Sequence, residues 1–382
     1  MEKKIYGLLG GRLAHSYSPE IHAAFGDYEY RLYEKSRDEV EDFLLHGDYD
    51  VLNVTIPYKK TACALCRELS PTAAELGNVN VVVKRLDGSL YGDNTDKAGF
   101  LKLTEIAAVP VVGEKCLVLG TGGAAQTARC ALEGLGAAKI VMISRGGENN
   151  YENLHLHRDA KMIVNATPVG MFPDTESKPV ALKDFPECEA VIDLIYNPSP
   201  TKLLQDAANL GMANVGGMAM LEEQARLSSV YMNANLYLYG APGSGKSTLA
   251  KKLAAEKSMP LIDLDAEIEK EQGRTIAEIF AADGEAAFRK IEKAALEKAA
   301  AKRGYIVALG GGSLLDEDSR RLAEKTGRIV FLDCQEAELL RRVSTSETRP
   351  LLAGDRRERL LKLLSARHEH YASFKERILT GP

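Results

Sequence analysis

The chain has 382 residues, 49 basic against 54 acidic side chains, a formal net charge of −5 and 45% hydrophobic residues. That length holds two to three domains, each able to bury its own core, and the scattered, near-balanced charge argues against a nucleic-acid footprint or a membrane-surface anchor. No apolar run approaches the roughly 18 residues of a membrane span, MEKKIYGLLGG is too short in apolar residues for a signal peptide, and the scattered cysteines form no disulfide framework, so a cytoplasmic protein is expected.

Strand-like runs at Lys4–Leu9, Tyr28–Tyr33 and Val51–Ile56 alternate with helical stretches. Asp87-Gly88, between Val79–Lys84 and Ser89–Tyr91, signals a hairpin. Cys63 and Cys66 form one C-x-x-C without further ligands at comparable spacing, which reads as helix surface or core. Helical patterning near Lys97–Ala108 runs into Val109-Pro110, and Lys115–Leu119 opens a new strand.

Gly120-Thr121-Gly122-Gly123-Ala124-Ala125 stands between that strand and a helix expected over Gln126–Leu135. This is a G-x-G-x-x-A fingerprint, whose glycines permit a tight turn and the close approach of a pyrophosphate to the helix N-terminus. The next strand, Ile140–Ile143, ends in Ser144-Arg145 where an NAD site usually carries Asp or Glu. A guanidinium there suits a 2′-phosphate, so NADP(H) is the expected cofactor. A helical patch at Gly217–Met232 turns back toward the first lobe.

The strand-like Leu236–Tyr239 leads into GAPGSGKST, residues 240–248. In this phosphate-binding loop Gly243 and Gly245 let the N–H groups of the run Ser244, Gly245, Lys246, Ser247 and Thr248 turn toward phosphate oxygens. Lys246 would reach the β- and γ-phosphates and Ser247 a Mg²⁺ ion, which makes ATP the expected second nucleotide. Further on, Ala294–Lys302 reads as a helix stopped by Gly304, and Ile306–Leu309 as a strand.

Five motifs in order, His15-Ser16-Tyr17-Ser18-Pro19, Asn53–Lys59 (NVTIPYK), Gly92–Asp96 (GDNTD), Asn165–Met171 (NATPVGM) and the spaced Gly217, Met220, Leu221 and Gln224, resemble shikimate dehydrogenase. The resemblance implies NADPH-dependent reduction of 3-dehydroshikimate to shikimate. It implies that Ser16 and Ser18 meet the substrate carboxylate, that Thr55, Asn80 and Asn94 hold ring hydroxyls, and that Tyr196 and Gln224 also face the substrate. Lys59 with Asp96 matches the catalytic pair, Lys59 moving the proton and Asp96 holding its ammonium. Asn165, Thr167 and Gly217 are expected at the cofactor with the glycine loop. This chain departs from the family in having Arg12 where the pattern has Pro, and room for little more than a short helix between Arg145 and the strand Met162–Val164.

Asp263-Leu264-Asp265, Gly284–Arg289, Gly310-Gly311-Gly312, Arg349-Pro350-Leu351-Leu352 and Arg367 followed by Tyr371 resemble shikimate kinase. The resemblance implies that Asp265 orients or deprotonates the attacking hydroxyl and that Asp263 sits in the Mg²⁺ water shell. Arg289 and Arg367 would meet the carboxylate of shikimate, with Gly310, Gly311 and Gly312 approaching it by backbone. Arg349, in a stretch broken by Pro350 and Gly354, would reach the phosphates from a closing lid. The strand-like Arg377–Leu379 lies just before Thr380-Gly381-Pro382, where the family usually continues through a base-binding loop and a helix, so base recognition is expected to be minimal or the chain shortened.

The expected architecture is α/β throughout. A substrate-binding lobe spans residues 1–100 and is completed by 214–232; a Rossmann-like NADP-binding lobe spans 101–213; a P-loop kinase domain with a parallel sheet spans 235–382. The product of the first reaction is the substrate of the second, so a bifunctional enzyme acting on small molecules, without nucleic-acid or membrane partners, is the most economical reading. The competing readings are a dehydrogenase that prefers quinate, and a metabolite sensor that keeps both pockets without catalysis. Lys59, Asp96, Lys246, Asp265 and Arg349 count against the sensor, because sensing needs neither proton nor phosphoryl transfer.

Overall fold

The computed structural model describes residues 5–14, 16–26, 28–257, 259–344 and 356–380. The chain divides into two compact units, one of Tyr6–Lys84 with Leu90–Ser229, the other chiefly of residues from Val230 onward. Among the described residues no helix is long and apolar enough to cross a membrane.

The first unit opens with β1 (Ile5–Gly10), β2 (Glu29–Glu34), β3 (Val51–Val54), β4 (Glu68–Leu69), β5 (Val81–Lys84) and β6 (Leu90–Asp93), in the spatial order β2-β1-β3-β5-β6-β4. β1 and β3 are parallel, while β5 and β6 form an antiparallel hairpin with Val81 opposite Asp93. Its turn contains Gly88 at φ 82°, a left-handed conformation that glycine adopts without strain. β4 has only two residues and shows no alternation to read. Leu9, Leu52, Val82 and Leu90 meet in one core. None of the six cysteines is in a disulfide, and Cys66 donates to the Ala62 carbonyl at the end of the helix Lys59–Leu65.

The same unit continues through β7 (Lys115–Leu119), β8 (Lys139–Ile143), β9 (Met162–Asn165), β10 (Ala190–Asp193) and β11 (Ala213–Gly216), all parallel, in the order β8-β7-β9-β10-β11. Cys116 and Val118 face one core and Leu117 and Leu119 another. With both faces covered, the central strands read as apolar runs, Cys116–Leu119, Met162–Val164 and Ala190–Ile192, and each fully buried leucine contributes about 1.5–3 kcal/mol. The strand order reverses between β7 and β9, which opens a crevice at their carboxyl ends. Only a turn of 3₁₀ helix, Leu154–His157, occupies the connection from β8 to β9, so the sheet stops at β8.

The second unit is built on β12 (Asn235–Gly240), β13 (Leu261–Asp263), β14 (Ile306–Ala308), β15 (Gly327–Cys334) and β16 (Arg377–Thr380), all parallel, in the order β13-β14-β12-β15-β16. Tyr237 and Tyr239 pack on one face of β12 and Leu236 and Leu238 on the other. The helix Ile276–Ala300 starts from a capping box between Thr275 and Glu278 and bends at Gly284, φ 80° and ψ 173°. That bend sets the direction of the half that carries Arg289.

Candidate active sites

In the first unit the polar motifs converge on one carboxylate. Asp96 is the first residue of the helix Asp96–Ala107, where the positive end of the helix favours an anion, and it is 6% exposed. Lys59 heads the helix Lys59–Leu65, and its Nζ donates to Asp96 Oδ2 at 2.6 Å. The other oxygen accepts from Asn80 Nδ2 at 2.9 Å and Gln224 Nε2 at 3.1 Å. Asn94 Oδ1 accepts the Asp96 N–H at 2.8 Å. The carboxylate is fixed from several sides, and Lys59 keeps about a quarter of its side chain, 27%, open to solvent.

Asn78, absent from the sequence reading, and Thr95, given no role of its own within its motif, complete this cluster. Thr95 donates its N–H to Asn80 Oδ1 at 2.8 Å, and Asn78 Oδ1 accepts from Asn94 Nδ2 at 2.8 Å. They orient the two asparagines, which are themselves buried. Nearby, Ser16 Oγ accepts the N–H of Ser18, and Thr55 follows β3 with its N–H bonded to Leu9. Tyr196, on the loop after β10, meets Tyr17 edge-on at 5.9 Å, which brings that loop against the serine-bearing segment. His15 lies outside the described residues.

The dinucleotide fingerprint sits at the strand reversal. Gly120 has φ 110°, and a Cβ there would lie 3.1 Å from the Ala166 carbonyl, so the turn requires glycine. Gly122 caps the helix Gly123–Gly134, and a Cβ on Gly122 or Gly123 would meet nothing within 4 Å. Ala124 is exposed and Ala125 buried beneath it. Open space at a helix N-terminus fits a pyrophosphate. Ser144 and the exposed Arg145 follow β8, where a guanidinium fits a 2′-phosphate.

Asn165 and Gly217, both expected at the cofactor, turn inward. Asn165 is 0% exposed; its amide oxygen accepts from the N–H and hydroxyl of Thr167, and its Nδ2 donates to Val169 and Asp193. Its side chain is spent on holding the Asn165–Gly170 loop, which leaves Thr167 and the loop backbone to meet a ligand. A Cβ on Gly217 would collide with the Leu194 carbonyl, so this glycine is required by packing.

In the second unit the phosphate loop has positive φ at Gly240, Gly243 and Gly245, at 154°, 91° and 92°. The helix Lys246–Glu256 starts from Gly245, and Lys246 Nζ donates to the carbonyls of Gly240 at 2.9 Å and Ala241 at 3.1 Å, curling over the loop. Ser247 and Thr248 are exposed, whereas Ser244 is 0% exposed, so only its backbone can serve a phosphate. Asp263 ends β13 and accepts the Ala266 N–H at the start of the helix Leu264–Gln272.

Gly310, Gly311 and Gly312 follow β14 and thread between the charged groups. A Cβ on Gly310 would lie 3.1 Å from Asp265 Oδ1, and one on Gly312 would lie 2.5 Å from Arg289 Nη1. The Gly311 carbonyl accepts from Arg367 Nη1 at 2.8 Å and from the Tyr371 hydroxyl at 3.2 Å. Glu292, 3% exposed, holds Arg289 Nη1 at 2.6 Å and the Ser313 hydroxyl at 2.6 Å. Its position three residues after Arg289 on one helix was the available signal for that pair. Asp265 is exposed as a residue, yet its carboxyl end is enclosed by neighbouring protein. That enclosure pushes its carboxyl up to about 6, with Asp263, Glu292 and Glu269 adding to the rise and Lys246 opposing it. Arg349 lies outside the described residues.

Comparison with known proteins agrees with both halves. Residues 8–82 match the family described as shikimate dehydrogenase substrate binding domain, and residues 242–381 the one described as shikimate kinase. The shikimate dehydrogenase (NADP(+)) of Clostridium perfringens (strain SM101 / Type A) is 36% identical over 242 residues, 58% of this chain and 89% of the relative. Its counterpart from Syntrophomonas wolfei is 34% identical over 260 residues, 60% of this chain and 89% of the relative. A chorismate mutase/shikimate 5-dehydrogenase fusion protein from Clostridium acetobutylicum superposes with a TM-score of 0.56 at 32% identity, covering 60% of this chain and 90% of that one. Shikimate 5-dehydrogenase from Thermus thermophilus, solved with NADP(H) and shikimate, gives 0.54 at 30% identity, covering 59% of this chain and 91% of that one. The chain belongs to the shikimate dehydrogenase family, and its C-terminal part carries a shikimate kinase domain.

Proposed function

We propose that this chain is a bifunctional enzyme that reduces 3-dehydroshikimate to shikimate with NADPH and phosphorylates shikimate to shikimate 3-phosphate with ATP. The observation that carries the reading is the 2.6 Å contact between Lys59 Nζ and Asp96 Oδ2, with the carboxylate clamped by Asn80 and Gln224. A ketone becomes an alcohol by gaining a hydride at carbon and a proton at oxygen. NADPH supplies the hydride. Lys59 supplies the proton, and Asp96 holds the ammonium at a fixed place so that the transfer needs little reorganisation. Ser16, Ser18, Thr55, Asn80, Asn94 and Tyr196 orient the substrate by its carboxylate and hydroxyls, which discriminates polyols far better than apolar contact.

In the kinase domain Asp265 accepts from the attacking hydroxyl, Arg289 and Arg367 grip the carboxylate, and Lys246 and Arg349 neutralise the phosphates. Ser247 and Asp263 are the residues placed to hold Mg²⁺ and its water shell. We read the protein as cytoplasmic and its partners as small molecules. Incubating the whole chain with 3-dehydroshikimate, NADPH, ATP and Mg²⁺ tests the reading through NADPH absorbance and product mass. Shikimate 3-phosphate supports both halves; shikimate alone removes the kinase assignment, and undiminished NADPH removes the dehydrogenase assignment.

A further inference from the structure

One buried ionisable group has no part in the chemistry above. Asp193 ends β10, is 0% exposed, and stands in register with Asn165 on β9 and Gly216 on β11. Its Oδ1 accepts from Asn165 Nδ2 at 3.0 Å and the Ile195 N–H at 3.1 Å, and its Oδ2 from the Thr201 hydroxyl at 2.7 Å. Asn165 in turn fixes Thr167 and Val169. The turn that follows packs on the glycine loop, with the Ala166 carbonyl 3.1 Å from a Cβ on Gly120. Ile195 begins the loop that carries Tyr196 toward Tyr17. One side chain therefore joins the loop beside the cofactor fingerprint to the loop beside the substrate segment.

We propose that Asp193 is a positioning residue for ketone reduction by the dinucleotide, its carboxylate locking the Asn165–Gly170 loop and the Leu194–Thr201 loop into a single rigid wall of the cofactor crevice. The inference rests on the dehydrogenase reading of this site. An ionised carboxylate is costly to bury, and burial pushes this one up to about 6 even with three donors around it. What the carboxylate provides is geometry: three donors from two loops meet at one acceptor-only group. Asparagine can reproduce the arrangement, because its oxygen serves the two donors at Oδ1 and its NH₂ can donate to a Thr201 hydroxyl that has turned to accept. Alanine takes the acceptor from all three, leaving Asn165 Nδ2 with Val169 alone.

The test is steady-state kinetics of the whole chain with 3-dehydroshikimate and varied NADPH. Asp193→Ala is expected to lower kcat/KM for NADPH about 10–100-fold, and Asp193→Asn to keep it within about threefold of wild type. Where Asp193→Ala fails to fold, Thr201→Val removes one donor and should raise the KM for NADPH about threefold. An unchanged KM and kcat in Asp193→Ala, or in Thr201→Val when that variant has to decide, overturns the proposal, as does an Asp193→Asn enzyme as impaired as the alanine variant. A wild-type chain that oxidises no NADPH with 3-dehydroshikimate overturns the reading of the site itself.

Discussion

Gln224 reaches across 128 positions of sequence to donate to Asp96 at 3.1 Å, on the carboxylate whose other oxygen holds Lys59 at 2.6 Å. The helix Met218–Met232 thus closes the cluster formed by the motifs of the first hundred residues. Lys59→Ala should lower dehydrogenase turnover about 10²–10⁴-fold, the range for a lost general acid. Gln224→Ala should cost about tenfold, one hydrogen bond to a charged group. NADPH oxidation reports both, and phosphorylation of added shikimate by the same preparations should be unchanged.

Asp265 gives the kinase reaction a pH limit. Burial of its carboxyl pushes it up to about 6, and the role proposed for it needs the ionised form. Phosphorylation of shikimate should therefore fall as pH drops through about 6, while a normal carboxylate would keep the rate down to about 4. Asp265→Asn should lower turnover at least about 100-fold at pH 7 and abolish that acidic limb. Coupled ADP release measured from pH 5 to 8 checks both.

Glu292 holds Arg289 and Ser313 together beneath the three glycines. Glu292→Ala leaves the guanidinium with Glu285 as its remaining carboxylate, so that it can swing from the position expected for the shikimate carboxylate. The KM for shikimate should rise about tenfold, the equivalent of one charge-assisted hydrogen bond, with the KM for ATP unchanged. A matching rise in both constants would mean that the domain has loosened as a whole.

Asp193 also makes stability depend on pH. Its folded pKa of about 6 lies above the ordinary value of 3.8, so the fold favours the protonated form. The stabilisation is fully present below the unfolded pKa and is lost as pH rises through about 6. Asp193→Asn removes this dependence, and above pH 6 the first unit should be as stable as wild type or more so, by at most about 3 kcal/mol. Thermal unfolding at pH 4.5 and pH 7.5 should show the two melting temperatures converging at the lower pH.

Much of the fold was legible because its signals are local. The hairpin around Gly88, the strand before each glycine loop and the polar motif residues are all set by neighbours in sequence. Helix starts were less legible: the helix expected from Gln126 begins at Gly123, and the one after the phosphate loop begins at Lys246, inside the loop motif itself. Glycine lowers local helix propensity, but in both loops the backbone turns directly into the helix and tertiary packing prevails. Asp193 and Asn78 escaped notice, and Thr95 had no role beyond its motif, because their meaning depends on partners brought near only by folding. Asn165 was read from its motif as a cofactor ligand, yet its burial behind Thr167 became visible only in three dimensions.

The short connection after β8 leaves that strand with a single hydrogen-bonded neighbour among the described residues, while β7 lies between two. Amides on the outer side of β8 have no sheet partner to slow their exchange with solvent, so local opening of this sheet should start at β8 or at the other edge strand, β11. The same strand leads into Ser144 and Arg145. A nucleotide phosphate gripped by Arg145 would hold this edge strand closed, so cofactor occupancy and fraying of that sheet edge become two readings of one equilibrium.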